Sequence, residues 1–203
     1  MVNPASRPAA LIGARLSAEE ESEILAALRR MGLIGAQESP RLALLEGGVS
    51  SLILRADTHR GPLCIKRALP QLKVAAEWKV PVDRNTAEVG WMRIAGRVAP
   101  GCVPAVLGED SVGKTYAMAW LDPSAYPVWK TQLLQGIAEA KTARAVADNL
   151  SAIHNACAGD QRAAADFGNA ATFDQIRLDP YFRAAAAAQP DCAGALLDLV
   201  EVT

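Results

Sequence analysis

The chain is 203 residues long and 51% apolar, and its 21 basic and 22 acidic residues leave a formal net charge of -1. That length admits one large domain or two small lobes around a sizeable core. The balanced charge excludes the electrostatic footprint of a nucleic-acid or anionic-membrane binder, so an anionic ligand has to be held locally. Cys64, Cys102, Cys157 and Cys192 lie tens of residues apart without a C-x-x-C pair, and His59 and His154 do not cluster with them, which predicts reduced thiols rather than a metal site. The N-terminus has no apolar signal core, and no apolar run reaches the roughly 18 residues of a membrane span, so a cytoplasmic protein is expected.

Residues 1–15, rich in Pro, Ala and Arg, predict a loose arm. A helix follows: Ser17 and Glu20 match a capping box, and Ile24, Leu25, Leu28 and Met31 form an apolar stripe that ends at Gly32. Leu42 to Lys66 then reads as a three-strand meander. Apolar runs at Leu42–Leu45 and Leu52–Leu54 flank Glu46-Gly47-Gly48-Val49-Ser50-Ser51, and turn residues from Asp57 to Gly61 precede Pro62–Ile65. Two adjacent glycines let backbone N–H groups approach a polyphosphate, Ser50 and Ser51 add hydroxyl donors, and Lys66 supplies a cation at the end of the third run. An ordinary hairpin pair with a solvated lysine fits the same residues.

Ala68 to Val82 contains two prolines and reads as a linker, which leads to Asp83 as N-cap of a second helix to about Arg97. On that helix Glu88 shares a face with Met92 and Ala95, flanked by Trp91. An inward carboxylate needs a partner, and Lys66 would provide one; a surface position for Glu88 is the alternative.

Val103–Leu107 and Thr115–Leu121 are expected as two more strands, separated by a polar turn from Gly108 to Lys114. Five short strands with an inserted helix therefore occupy the first 121 residues. Gly108 to Thr115 also spells G-x-x-x-x-G-K-T, the pattern of a P-loop, which would make a different nucleotide-binding protein. A P-loop needs a helix opening at its lysine. Here Tyr116–Leu121 is a short apolar run stopped by Asp122-Pro123, and Glu109 and Asp110 stand where phosphate oxygens belong.

From Trp129 onward Ala, Leu and Ile dominate, so the rest is expected to be helical, with a boundary at Asp122 to Tyr126. Val146, Leu150, Ile153 and Cys157 line one helix face, which is expected to be exposed, with His154 beside it as a hydrogen-bonded core residue. Asp166-Phe167-Gly168 spells a magnesium-binding tripeptide of protein kinases, but an alanine-rich polar stretch precedes it rather than a strand and catalytic loop, so it reads as coincidence. A last helical segment is expected around Asp191 to Val200. The whole is an α+β chain.

Taken together, Gly47-Gly48-Val49-Ser50-Ser51, Lys66, Glu88, the run Met118-Ala119-Trp120-Leu121-Asp122-Pro123 and Leu150-Ser151-Ala152-Ile153-His154 resemble the aminoglycoside phosphotransferase and choline kinase-like family. Within that family, methylthioribose kinase-type sugar kinases are the nearest likeness. The resemblance covers residues 40 to 157 and rests on the order and spacing of the pieces. It implies a protein-kinase-like N-lobe over 16–121, with a five-stranded antiparallel sheet plus helix, and a hinge with the first helices of an α-helical C-lobe over 122–203. It also implies ATP and Mg2+ as cofactors and a small-molecule hydroxyl as acceptor. The glycine loop Gly47 to Ser51 would cover the phosphates, Lys66 would contact them, Glu88 would hold Lys66, and Ala119 to Leu121 would meet adenine beside Met118.

The sequence departs from the family at the chemistry. Members carry an H-G-D catalytic loop and a downstream Asp-containing magnesium motif in the second lobe, and no H-x-D occurs here. Phosphoryl transfer needs both, because its catalysis is mostly positioning and charge stabilisation. The expectation is an ATP-dependent small-molecule kinase represented by an incomplete chain. A short pseudokinase that binds nucleotide or a partner without transfer is the alternative, and a P-loop NTPase the third.

Overall fold

The computed structural model describes residues 16–45, 51–69, 84–168 and 170–202. Gly47, Gly48, Val49 and Ser50, the Asp83 cap and most of the linker lie outside the described residues. An α+β fold results, in which a five-stranded antiparallel sheet is built before the chain turns helical.

Helix α1 (Ala18–Arg30) begins where the capping box predicts. Ser17 Oγ accepts from Glu20 N–H at 3.1 Å, and the Glu20 carboxylate accepts from Ser17 N–H at 2.8 Å. It ends in a Schellman motif: Leu33 N–H reaches Leu28 O at 3.0 Å and Gly32 N–H reaches Arg29 O at 2.9 Å. Gly32 takes the left-handed φ of 69° that this turn requires.

Strands β1 (Arg41–Leu44), β2 (Ser51–Thr58) and β3 (Gly61–Ala68) form the meander, and β4 (Val106–Asp110) and β5 (Thr115–Ala119) complete a sheet of order β1-β2-β3-β5-β4. The strands differ from expectation at their ends. β2 continues through Asp57 and Thr58, so the hairpin turn shrinks to His59 and Arg60. Asp57 is tolerated in the strand because Arg55 pairs with it at 2.7 Å, and Thr58 Oγ1 donates to Gly61 O at 2.8 Å. β4 starts later than Val103 and includes Gly108, Glu109 and Asp110, which the sequence places in a turn; a register shift between Val106 and Gly108 lets it pair with β5.

The two faces of the sheet bury different helices. Leu52, Leu54, Ala56 and Ile65 point to one side, where Ile24 and Leu28 of α1 and Ile34 close a core. Tyr116 points to the other, against Val89 and Met92 of α2 (Arg84–Val98), with Val103, Val106 and Met118 around them. Strand alternation therefore dictates which helix each side chain meets.

Residues Asp122 to Tyr126 form a turn between β5 and the helices, with Ser124, Ala125 and Tyr126 N–H groups all donating to Asp122 oxygens. Helices α3 (Trp129–Leu134), α4 (Ala140–Cys157), α5 (Gln161–Asp166) and α6 (Ala170–Phe173) follow. A π-helical segment at Asp174–Arg183 leads to α7 (Ala184–Ala188), a 3-10 turn at Pro190–Cys192 and α8 (Ala193–Glu201). The π-helical turn contains Pro180, which has no N–H for the ladder, and is clamped by Arg183, whose guanidinium donates to both oxygens of Asp174 at 2.8 and 2.9 Å.

Two expectations for α4 are corrected. Val146 and Leu150 are exposed as predicted, but Ile153 is buried and Cys157 half-buried, because they join Trp91 and Ile94 of α2 and Phe167 around a cleft of about 530 Å³. His154 lines the same cleft and is exposed rather than a core residue. No helix among the described residues is long and apolar enough to cross a membrane.

Candidate functional site

Lys66 sits near the C-terminal end of β3, the middle strand of the five. Its cross-strand partners are Ile53 on β2 and Tyr116 on β5. With side chains alternating, Ile53, Cys64, Lys66, Tyr116 and Met118 share the face that α2 covers. From α2, Glu88 reaches down to that face and forms an ion pair with Lys66. The Lys66 side chain is 20% exposed and that of Glu88 38%, so the pair lies at the edge of the packed layer with one side open.

Tyr116 stands across the ladder from Lys66, its ring buried and held by Val89 and Met92. Burial first, then the charge of Glu88, push the phenol far above its ordinary pKa, so it stays a donor. Burial likewise pushes the Cys64 thiol up, with the Lys66 charge opposing, which leaves it an inert apolar wall. Neither Tyr116 nor its hydroxyl was singled out by the sequence; the available signal is its place two residues before Met118 in a strand whose partner residue is Lys66.

At the far end of the same face, Met118 pairs across from Cys64, and Trp120 follows β5. Arg55 of β2, already paired with Asp57, lies over the Trp120 ring at 4.9 Å from its centroid. The Trp120 indole N–H is buried and has no hydrogen-bond partner among the described residues. The Ala119 N–H donates to Ala105 O at 2.9 Å. Leu121 is exposed, and Ser51, the last residue of the predicted glycine loop and the first of β2, is buried. The structure thus places Ser51 on β2, Lys66 on β3, Glu88 on α2 and Met118 and Ala119 on β5, with Trp120 and Leu121 directly after it.

The P-loop pattern resolves into something else. No helix opens at Lys114; strand β5 begins at Thr115. At Gly108 an added Cβ would stand 3.0 Å from Met31 Cβ and Sδ, a tight approach, and at Gly113 one would stand 2.6 Å from Asp110 Oδ2, which leaves no room for it. Lys114 has φ 48°, closing the turn in the left-handed region, and its carbonyl accepts from Asn85 Nδ2 at 2.6 Å. Asp110 is buried, accepts from Gly113 N–H at 2.8 Å and receives the Arg30 guanidinium on both oxygens at 2.9 and 2.7 Å. Asp110 fastens the hairpin to α1 through Arg30, and the Lys114 carbonyl fastens it to α2 through Asn85.

Asp166-Phe167-Gly168 closes helix α5 rather than following a strand. Phe167 lies against Gly90 of α2, and Asp166 faces Arg162 on the surface. Among the described residues, no group of three or more His, Cys, Asp or Glu side chains is placed to hold a metal ion. For a nucleotide, Lys66 fits as a phosphate cation and Ile53, Cys64 and Met118 as an apolar base-facing surface. For Mg2+, the described residues supply no ligand set.

No protein-family model and no curated protein matches the chain. Among solved structures it is similar to a candidate fructosamine-3-kinase from Thermobifida fusca. The two are 24% identical over 48% of this chain and 31% of that one, with a TM-score of 0.32. The chain spans less than a third of that protein's length, and a likeness at this TM-score adds no weight to either fold or function.

Proposed function

We propose that the chain provides the nucleotide-binding part of an ATP-dependent phosphotransferase that acts on a hydroxyl of a sugar, aminoglycoside or aminoalcohol. In this reading residues 16–121 form the nucleotide-binding lobe, and residues 122–203 form the hinge and first helices of a second lobe. The observation that carries it is the Lys66–Glu88 ion pair between the central strand and helix α2, which packs on that face. A lysine held at a strand end by a carboxylate presents a fixed cation to a polyphosphate, and the apolar side chains of Cys64 and Met118 continue the same face toward Trp120. Gly47 to Ser51 are proposed to close over the phosphates, and the segment Ala119 to Leu121 to meet the base. Because the Ala119 N–H is taken by Ala105, contacts from that segment fall to Trp120 and Leu121. Mg2+ bound with the nucleotide would neutralise phosphate charge. With no H-x-D in the sequence, the chain is assigned nucleotide binding and no step of transfer.

Titration with ATP by calorimetry tests the proposal. Wild-type protein is expected to bind, Lys66→Met to bind about ten- to a hundredfold more weakly through loss of a charge-assisted phosphate contact, and Lys114→Ala to bind within about twofold of wild type. Lys114→Ala abolishing binding while Lys66→Met leaves it intact would overturn the assignment.

A further inference from the structure

Helix α2 has two working faces. Asn85, Val89, Met92 and Ala95 are buried, whereas Ala87, Gly90, Arg93, Ile94 and Arg97 recur at helical spacing on the opposite side. Phe167, at the end of α5, lies against this outer face at Gly90, where an added Cβ would already stand 3.5 Å from the ring. Two clefts adjoin there and share Ile94, Asp160, Ala163 and Phe167 in their walls. One, of about 530 Å³, is walled mainly by apolar groups such as Trp91, Ile153 and Phe167. The other, of about 570 Å³, brings Arg93 and Arg97, one turn apart on α2, together with Arg162 of α5.

Like charges one turn apart on a helix repel, and a third cation from a second element adds to that cost. The nearby carboxylates offset it only in part. Asp166 lies 3.7 Å from Arg162, and Asp160 caps α5 by accepting the N–H groups of Arg162 and Ala163 at 2.8 and 3.2 Å. Arg93 reaches Glu109 at 3.0 Å through one nitrogen, and Arg97 has no ion pair among the described residues. A guanidinium carries five N–H donors in a planar fork, so both arginines of α2 retain donors for a ligand.

The geometry points to a second ligand site on the outer side of α2, for a small phosphomonoester with an apolar ring or chain. Its phosphate lies between Arg93 and Arg97, and its body fills the cleft of Trp91, Ile153 and Phe167. A phosphate dianion has oxygens enough to meet two guanidinium groups at once, and the apolar body adds the buried area that an exposed ion pair lacks. This site is separate from the Lys66 face and holds whether or not ATP binds there.

Calorimetric titration of the full chain with 1-naphthyl phosphate at low salt tests it. The ester is expected to bind at least tenfold more tightly than inorganic phosphate or 1-naphthol, each of which fills one half of the site. Arg97→Gln is expected to weaken it about tenfold, the scale of one hydrogen bond to a charged group, and Arg97→Lys by less. Arg93→Gln repeats that reading one turn away, with a loss of several-fold. Trp91→Ala is expected to weaken the ester and leave inorganic phosphate unchanged. Trp91 and Arg97 are exposed, so the melting temperatures of their variants are expected to stay near wild type. An ester that binds no better than 1-naphthol or inorganic phosphate overturns the proposal, as does wild-type affinity in Arg97→Gln or Trp91→Ala. Lys66→Met is expected to bind the ester like wild type; loss of binding there would place the probe on the Lys66 face and sink the second site.

Discussion

Replacing Asp110 by alanine is expected to unhook the β4–β5 turn from α1. The wild-type side chain is 5% exposed, and its two oxygens receive the Arg30 guanidinium and the Gly113 N–H. Alanine leaves the Gly113 donor in a closed turn without its acceptor, a loss of about 1–3 kcal/mol. The Arg30 contribution is discounted, because that side chain is 43% exposed and can return to water. A total of about 2 kcal/mol corresponds to a melting shift of roughly 4–8 °C for a chain of this size. Calorimetric melting at pH 7 measures it, with Arg30→Ala as the companion expected to cost less than Asp110→Ala. A shift under about 1 °C for Asp110→Ala would refute the account of Gly108 to Thr115 as a fastened turn.

The same aspartate predicts a pH dependence. Its pKa is lowered in the folded protein, first by the Arg30 hydrogen bonds and then by the turn N–H groups, with burial opposing. A depressed carboxylate contributes stability above its unfolded pKa of about 3.9 and loses it as pH falls toward the folded value. The stability gap between wild type and Asp110→Ala, from urea unfolding, is thus expected to be constant above about pH 5 and to narrow below pH 4; a gap that widens on acidification contradicts the assignment. The 203-residue chain is further expected to transfer no phosphate from radiolabelled ATP to sugars or aminoalcohols. Ordinary turnover on any acceptor would show that a catalytic carboxylate has been overlooked, with Asp166 the first to examine.

Local signals carried much of the fold. The Ser17 box placed α1 because a cap is a contact between residues three apart, and Glu88 pointed to Lys66 because a carboxylate on an apolar helix face needs an opposite charge. Strand ends were less legible. Asp57 and Asp110 look like turn residues by type, yet each is neutralised by an arginine, one two residues away and the other 80 residues away, and only the second is invisible to a local reading. Gly108 and Gly113 match a phosphate-binding pattern by spacing, whereas what crowds them is the side chains of Met31 and Asp110. His154 was misplaced because the apolar face of α4 is only partly covered, which depends on where α2 and α5 come to rest. The π-helical turn at Asp174–Arg183 has one local clue in Pro180, but the clamp that makes it possible is Arg183 reaching back nine residues.

Strand β3 is zipped on both sides, to β2 over its whole length and to β5 from Leu63 to Arg67. Its amides should therefore be among the slowest in the molecule to exchange with deuterated solvent, opening only when the sheet itself does. Helix α2 has no such ladder to its neighbours, and its hold is a seam of side chains around Val89 and Met92. The two halves of the lysine–glutamate pair thus belong to regions of different persistence. Whatever opens that pair, the lysine is the anchor and the glutamate the leaf of the hinge, so slow breathing around this site is motion of the helix over a stationary sheet.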